Sequence, residues 1–254
     1  MHLNLTKMRK PTSHKILGID FINADVQTII ERLKLGGLLV VPAAPALIAI
    51  QKDNDYYKSL LEADIVIADS GYMVLLWNLV HRQKIRRISG LELLTALLSD
   101  YGIKQSSDFL LVDPKPEEAK SNIDYLNKLG FKLDASNSYL APFYSKTKVV
   151  DPELLSLIAQ RRPGYIIINL GGGVQEKLGA FLKRNLSYKP AIICTGAAIA
   201  FLTGQQAHIP NWADRLFLGW LFRCIEKPKV YIPRYMKAIK LLGLILRHGR
   251  NAPV

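Results

Sequence analysis

Short runs of aliphatic and β-branched residues recur along this chain, each followed by a longer stretch with apolar residues at helical spacing, and this alternation restricts the fold more than any other feature. A strand that is apolar at every position is covered on both faces, and helical connections between such strands make them parallel. The pattern predicts helices over 25–35, 45–61, 91–98, 116–129, 151–160 and 174–186, and strands over 38–41, 65–68, 109–112, 165–170 and 191–194. The expected architecture is therefore α/β: an open, mostly parallel sheet with helices on both faces. In such sheets ligands sit beyond the carboxyl ends of the strands, which directs attention to Pro42–Pro45, Asp69–Gly71 and Gly171–Gln175.

A chain of 254 residues is long enough for one sizeable domain with an appendage. Its 34 Lys and Arg against 21 Asp and Glu give a net charge of +13, yet 49% of its residues are hydrophobic. That combination excludes global disorder, which needs low hydrophobicity as well as charge. It points to a partner that is anionic and apolar together, as a membrane surface is and a nucleic acid is not. The charge is uneven. From Gln205 to Val254 nine Lys and Arg face only Asp214 and Glu226, a net +7. At about 100° per residue, Tyr235, Ala238, Ile239, Leu242, Ile245 and Leu246 share one face of a helix, and Lys237, Lys240 and Arg247 take the other. The expected division is a main α/β domain over 1–204 and a basic, amphipathic, membrane-associating appendage over 205–254. A helix packed on the domain's own core reads the same way.

Neither long uncharged run, 35–51 nor 191–206, reaches the roughly 20 apolar residues of a spanning helix. The basic, polar stretch 1–15 does not read as a secretory signal. Cys194 and Cys224 lack metal-ligand or disulfide-framework spacing, which fits a reducing cytoplasm.

Several residues are placed to carry chemistry. Asp69 follows the apolar run Ile65–Ala68 and precedes Ser70-Gly71, where a carboxylate serves as general base for a hydroxyl nucleophile or caps the next helix. Gly171-Gly172-Gly173 lies between a strand and a helix. Its backbone N–H groups suit a phosphate, though a plain tight turn has the same composition and no dinucleotide or P-loop spacing is present. Arg86 and Arg87 precede Ser89-Gly90 and a helix, a place from which a guanidinium grips a diphosphate or stays solvated. Asp53-Asn54-Asp55 has the acidic spacing of metal-dependent sugar-nucleotide sites but sits in a polar helical stretch, so no metal site is expected there.

The order of these motifs resembles that of the WecG/TagA/CpsF glycosyltransferases. Glu62-Ala63-Asp64-Ile65-Val66-Ile67-Ala68-Asp69-Ser70 is similar to the family's "aDlvlpDG", Arg87-Ile88-Ser89-Gly90 to its "RvtG", and Leu170-Gly171-Gly172-Gly173-Val174-Gln175-Glu176 to its "lGxPkQE". The stretch from Gly204 to Tyr235 resembles its closing segment without a gap, keeping Pro210, Trp212, Trp220, Arg223, Pro228, Arg234 and Tyr235. The resemblance implies a Rossmann-like enzyme that moves an N-acetylmannosamine-type N-acetylhexosamine, with inversion, from a UDP-sugar donor to an undecaprenyl-diphosphate-linked sugar. It implies action without a metal or other cofactor, on the inner face of the cytoplasmic membrane of a bacterium, with self-association permitted. Carried over by position, it makes Asp69 the base. Gly171, Gly173 and Gln175 line the donor pocket. Arg87, His208, Arg215, Arg223 and Arg234 contact substrate, the arginines at the diphosphates. The chain departs from the pattern where Pro42-Ala43-Ala44 replaces Thr-x-Asn, Val112-Asp113 replaces a glycine pair, His208 an Arg, and Gly219 and Lys227 each a Glu. Asp113 is expected to bring negative charge near a nucleotide diphosphate. Two other readings compete: a catalytically silent relative that acts as a membrane-bound partner in polysaccharide assembly, and an unrelated basic α/β binding protein.

Overall fold

The computed structural model describes residues 11–106, 108–145, 147, 149–196, 198–205 and 219–253. They form one eight-stranded sheet. In chain order the strands are β1 (Thr12–Ile16), β2 (Ile19–Asn23), β3 (Gly37–Val40), β4 (Ile65–Val66), β5 (Phe109–Asp113), β6 (Ser138–Leu140), β7 (Tyr165–Ile168) and β8 (Ala191–Cys194). Across the sheet they run β1-β2-β4-β3-β8-β7-β5-β6. Only the β1–β2 hairpin pairs antiparallel; every other pairing is parallel. The expected open, mostly parallel α/β sheet is what forms.

Strand side chains alternate between two apolar layers. Leu38, Val40, Val66, Ile166, Ile168, Ile192 and Cys194 face one, with helices Asn54–Leu61, Gly71–His81, Pro152–Arg161 and Val174–Asn185. Leu39, Ile65, Phe109, Leu111, Ile167 and Ile193 face the other, with helices Val26–Leu33, Gly90–Ser99 and Pro116–Lys128. Gly179 lets one helix lie directly on the strands. A Cβ there would come 2.7 Å from Leu38 Cδ1 and 3.0 Å from Cys194 Sγ.

Side-chain caps fix where helices start. Asp25, Asp53, Ser70, Ser89 and Asp151 each accept the backbone N–H three residues on, at 2.8–3.2 Å. The span expected as helix over 45–61 is interrupted. It divides into Ala44–Leu47, a 3-10 turn Ile48–Gln51 and Asn54–Leu61, because Asp53 starts a new helix with its own cap. The strand expected over 165–170 ends at Ile168.

Asp64 ties the amino end of β3 to the helix behind it. It accepts from Leu38 N at 2.8 Å and pairs with Lys183 Nζ at 2.7 Å and Lys189 Nζ at 3.8 Å. Burial alone raises this carboxyl, but Lys183, the Leu38 N–H and Lys189 outweigh it and hold it below the usual carboxylate range. Since the folded value lies below the unfolded one, the stabilisation is complete above the unfolded value and is lost as pH falls through the folded one. Thermal melts between pH 6 and pH 2 therefore show a shallower acid decline for Asp64→Asn, which starts from a lower midpoint at neutral pH.

The chain's end closes onto the domain. Helices Gly219–Glu226, Pro228–Ala238 and Lys240–His248 follow one another, and Leu241, Leu244 and Ile245 of the last are buried in the main core. Leu17 N and Gly18 N donate to Gly249 O and Arg250 O at 2.8 and 3.0 Å. Of the residues expected to share an apolar face, Ile245 is buried and Leu242 packs against the core, whereas Ile239 and Leu246 are 54% and 61% exposed; Leu241 and Leu244 are buried beside Ile245. Among the described residues no helix is long and apolar enough to cross a membrane, and both cysteines are free.

Candidate active site

Beyond the carboxyl ends of β3, β4, β7 and β8 lies a cavity of about 730 Å³, within the range of small-molecule sites. Asp69, Arg87, Gly171, Gly172 and Gln175 line it, and helix Pro228–Ala238 closes it with Tyr231, Ile232, Tyr235 and Met236.

Asp69 follows β4. The cap of helix Gly71–His81 is Ser70, whose Oγ accepts Met73 N at 3.2 Å, so the Asp69 carboxylate is not spent on that helix. Its Oδ1 instead accepts Gly90 N at 3.1 Å, at the amino end of helix Gly90–Ser99, where the helix dipole favours an anion. Arg87 Nε donates to the Asp69 carbonyl at 2.7 Å, and its Nη2 lies 4.0 Å from Oδ1. A carboxylate and a guanidinium thus share one side of the cavity with fixed geometry. Gly90 packs closely on the end of β8: a Cβ there would lie 3.3 Å from Thr195 O, a tight contact with backbone.

The glycine loop is only partly open to a ligand. Gly171 and Gly172 line the cavity, whereas Gly173, at φ +92°, donates its N–H to Glu176 Oε2 at 2.6 Å. Gln175 clamps two loops. Its Oε1 accepts Gly196 N at 2.8 Å, its Nε2 donates to Glu176 Oε1 at 3.1 Å, and Cys194 Sγ donates to its carbonyl at 3.3 Å. Burial raises the Glu176 carboxyl above the usual range against these hydrogen bonds, and it lifts the Cys194 thiol well above its own.

Asp113 is not beside the cavity. It is fully buried at the end of β5 and accepts Asn122 Nδ2 at 2.8 Å, Asn169 Nδ2 at 2.7 Å and Ser138 Oγ at 3.0 Å. Burial raises its carboxyl despite those three donors. The negative charge expected near a diphosphate is replaced by a structural anchor, with Asn169 between it and the cavity.

Asn169 and Thr195 escaped the sequence reading although both line the cavity. The register of Ile167 with Ile193 places them side by side, two residues on. Among the described residues, Asn169 Oδ1 and Thr195 Oγ1 are buried without a hydrogen-bond partner. The signal that finds them is the first position after a strand, which the overlong strand 165–170 concealed for Asn169.

Asp53 caps its helix and pairs with Lys177 Nζ at 2.6 Å. Among the described residues no group of His, Cys, Asp and Glu has the arrangement of a metal site. His208 and Arg215 lie outside the described residues, as do the side chains of Arg223 and Arg234.

Two curated relatives align along almost the whole chain. One, from Bacillus subtilis (strain 168), is 25% identical over 241 residues, 90% of each chain, and is an N-acetylglucosaminyldiphosphoundecaprenol N-acetyl-beta-D-mannosaminyltransferase. Another of the same name, from Bacillus spizizenii, is 24% identical over 247 residues, 91% of this chain and 90% of its own. The sequence profile of the Glycosyl transferase WecG/TagA/CpsF family matches residues 14–253, and the chain belongs to that family.

Proposed function

We propose that the protein is an inverting glycosyltransferase that moves an N-acetylhexosamine, of the N-acetylmannosamine type, from UDP to an undecaprenyl-diphosphate-linked sugar in cell-surface polymer synthesis. The observation that carries this reading is the Asp69–Gly90–Arg87 arrangement at the floor of the cavity. The names of the two relatives support the substrate classes.

Asp69 takes the proton of the acceptor hydroxyl as that oxygen bonds to the anomeric carbon. The bond from that carbon to the UDP oxygen breaks on the opposite face, which inverts the configuration. Arg87 stabilises the negative charge that accumulates on the departing diphosphate, together with Arg215, Arg223 and Arg234, and no metal is needed for that electrostatic work. Gly171 and Gly172 border the nucleotide, Gly173 and Gln175 hold the loop in shape, and His208 approaches the substrate from the C-terminal segment. Asn169 Oδ1, whose amide nitrogen is committed to Asp113, accepts from a donor hydroxyl or N–H that reaches it. The apolar wall from helix Pro228–Ala238 and the basic C-terminal segment hold the lipid-linked acceptor, with the protein peripheral on the inner face of the cytoplasmic membrane and free to self-associate.

Titration calorimetry with UDP tests the donor site. The wild type binds one equivalent, and Arg87→Gln binds about 10- to 100-fold more weakly, the loss expected for charge-assisted hydrogen bonds to a diphosphate. Absence of UDP binding, or equal affinity in the variant, contradicts the assignment. A second reading, a silent membrane-bound partner in polymer assembly, draws on Ala43 and Ala44. Both line the cavity with methyl groups, and Ala44 stands where the resembled motif carries Asn, as Pro42 stands where it carries Thr.

A further inference from the structure

Helix Gly71–His81 has an outer face that neither the core nor the cavity uses. Its inward side chains Met73, Val74 and Trp77 are buried, but Leu75 and Leu79 are 64% and 75% exposed. Four residues apart, these leucines project on one side, and Tyr72, three residues before Leu75, extends the same stripe to the cavity that it lines. From Gly71 to Leu91 the chain has no Asp or Glu, while Arg82, Lys84 and Arg86 are exposed just past the helix. The last helix packs alongside, and Gly249 sits against His81. It brings exposed Leu246, Arg247 and Arg250 to the same region. Exposed leucines ringed by cations of one sign match an anionic lipid surface, which takes up the apolar groups and the charge together.

We propose that the outer face of helix Gly71–His81, Leu75 and Leu79 with Arg82, Lys84 and Arg86, is a membrane-contacting surface of the α/β domain itself. It seats the cavity mouth on an anionic bilayer. The inference rests on the reading that the protein works at a membrane but adds a contact outside the 205–254 segment. The stripe from Tyr72 to Leu79 spans about 10 Å of helix, so a lipid-linked acceptor leaving the bilayer there enters the cavity within one or two helical turns.

Sedimentation of the full-length protein with vesicles, with and without phosphatidylglycerol in phosphatidylcholine, tests this. The wild type binds the anionic vesicles, and Leu75→Gln/Leu79→Gln binds about tenfold more weakly or less. Arg82→Gln/Lys84→Gln loses affinity for the anionic vesicles as well. Leu35→Gln serves as control, because Leu35 is 77% exposed but follows helix Val26–Leu33, which packs on the other face of the sheet; it binds as wild type does. Thermal melts confirm that each variant is folded. Undiminished vesicle binding by the double leucine variant overturns this inference and leaves the membrane reading standing, whereas a wild type that binds no vesicles overturns both. Undiminished vesicle binding with loss of a concentration-dependent dimer assigns the face to a second copy of the chain instead.

Discussion

Asp69→Asn reduces sugar transfer by about 10²- to 10⁴-fold while leaving the fold and UDP binding intact. General-base catalysis contributes about 10² to 10⁴ in rate, and an amide has no comparable basicity. The substitution is nearly isosteric. The Asn Oδ1 still accepts the Gly90 N–H that now bonds the carboxylate at 3.1 Å, and Arg87 Nε keeps its bond to the Asp69 carbonyl. Single-turnover rates beside UDP affinity separate the two effects: a base lost from the transition state lowers the chemical step without weakening donor binding. A variant that transfers sugar within tenfold of wild type removes Asp69 from the role of base.

Asp113→Ala lowers stability by about 2–4 kcal/mol. The carboxylate accepts Asn122, Asn169 and Ser138 in a fully buried position, and its removal strands three donors, each costing about 1–3 kcal/mol. Release of a buried charge offsets part of this total. The raised Asp113 carboxyl sets a sign opposite to that of Asp64. Its folded value lies above the unfolded one, so the contribution is complete below the unfolded value and is lost as pH rises through the folded value. Urea unfolding of Asp113→Ala at neutral pH gives the size of the effect. A loss under 1 kcal/mol shows that the three partners find other acceptors.

Much of the sheet is legible because its strands are apolar at every position and its helices announce their starts. Asp25 and Ser89 cap where helical spacing begins. Helix Gly71–His81 is hidden for the opposite reason. Met73, Val74, Leu75, Leu76, Trp77, Leu79 and Val80 make it apolar on nearly every side, which erases the helical period, and the exposure of Leu75 and Leu79 shows that not all of that apolarity serves the core. The β1–β2 hairpin is equally faint, since β1 is a polar edge strand with only Ile16 fully inside. At the site, the position of Asp69 after an apolar run is a sequence signal. That Ser70 caps the following helix in its place is a matter of backbone geometry. The burial of Asp113 away from the cavity depends on partners 9 to 56 residues distant, which no local pattern reveals.

Transfer of a sugar from UDP to a lipid-diphosphate acceptor in this cavity is tested by UDP release from the purified protein offered a panel of UDP-N-acetylhexosamines, with a lipid-diphosphate-linked N-acetylhexosamine as acceptor and EDTA present throughout. The expected result is acceptor-dependent UDP release with at least one donor, undiminished by EDTA, and a product of inverted anomeric configuration. No release with any donor, under conditions in which the protein binds its vesicles, contradicts it and moves the assignment to the silent membrane-bound partner.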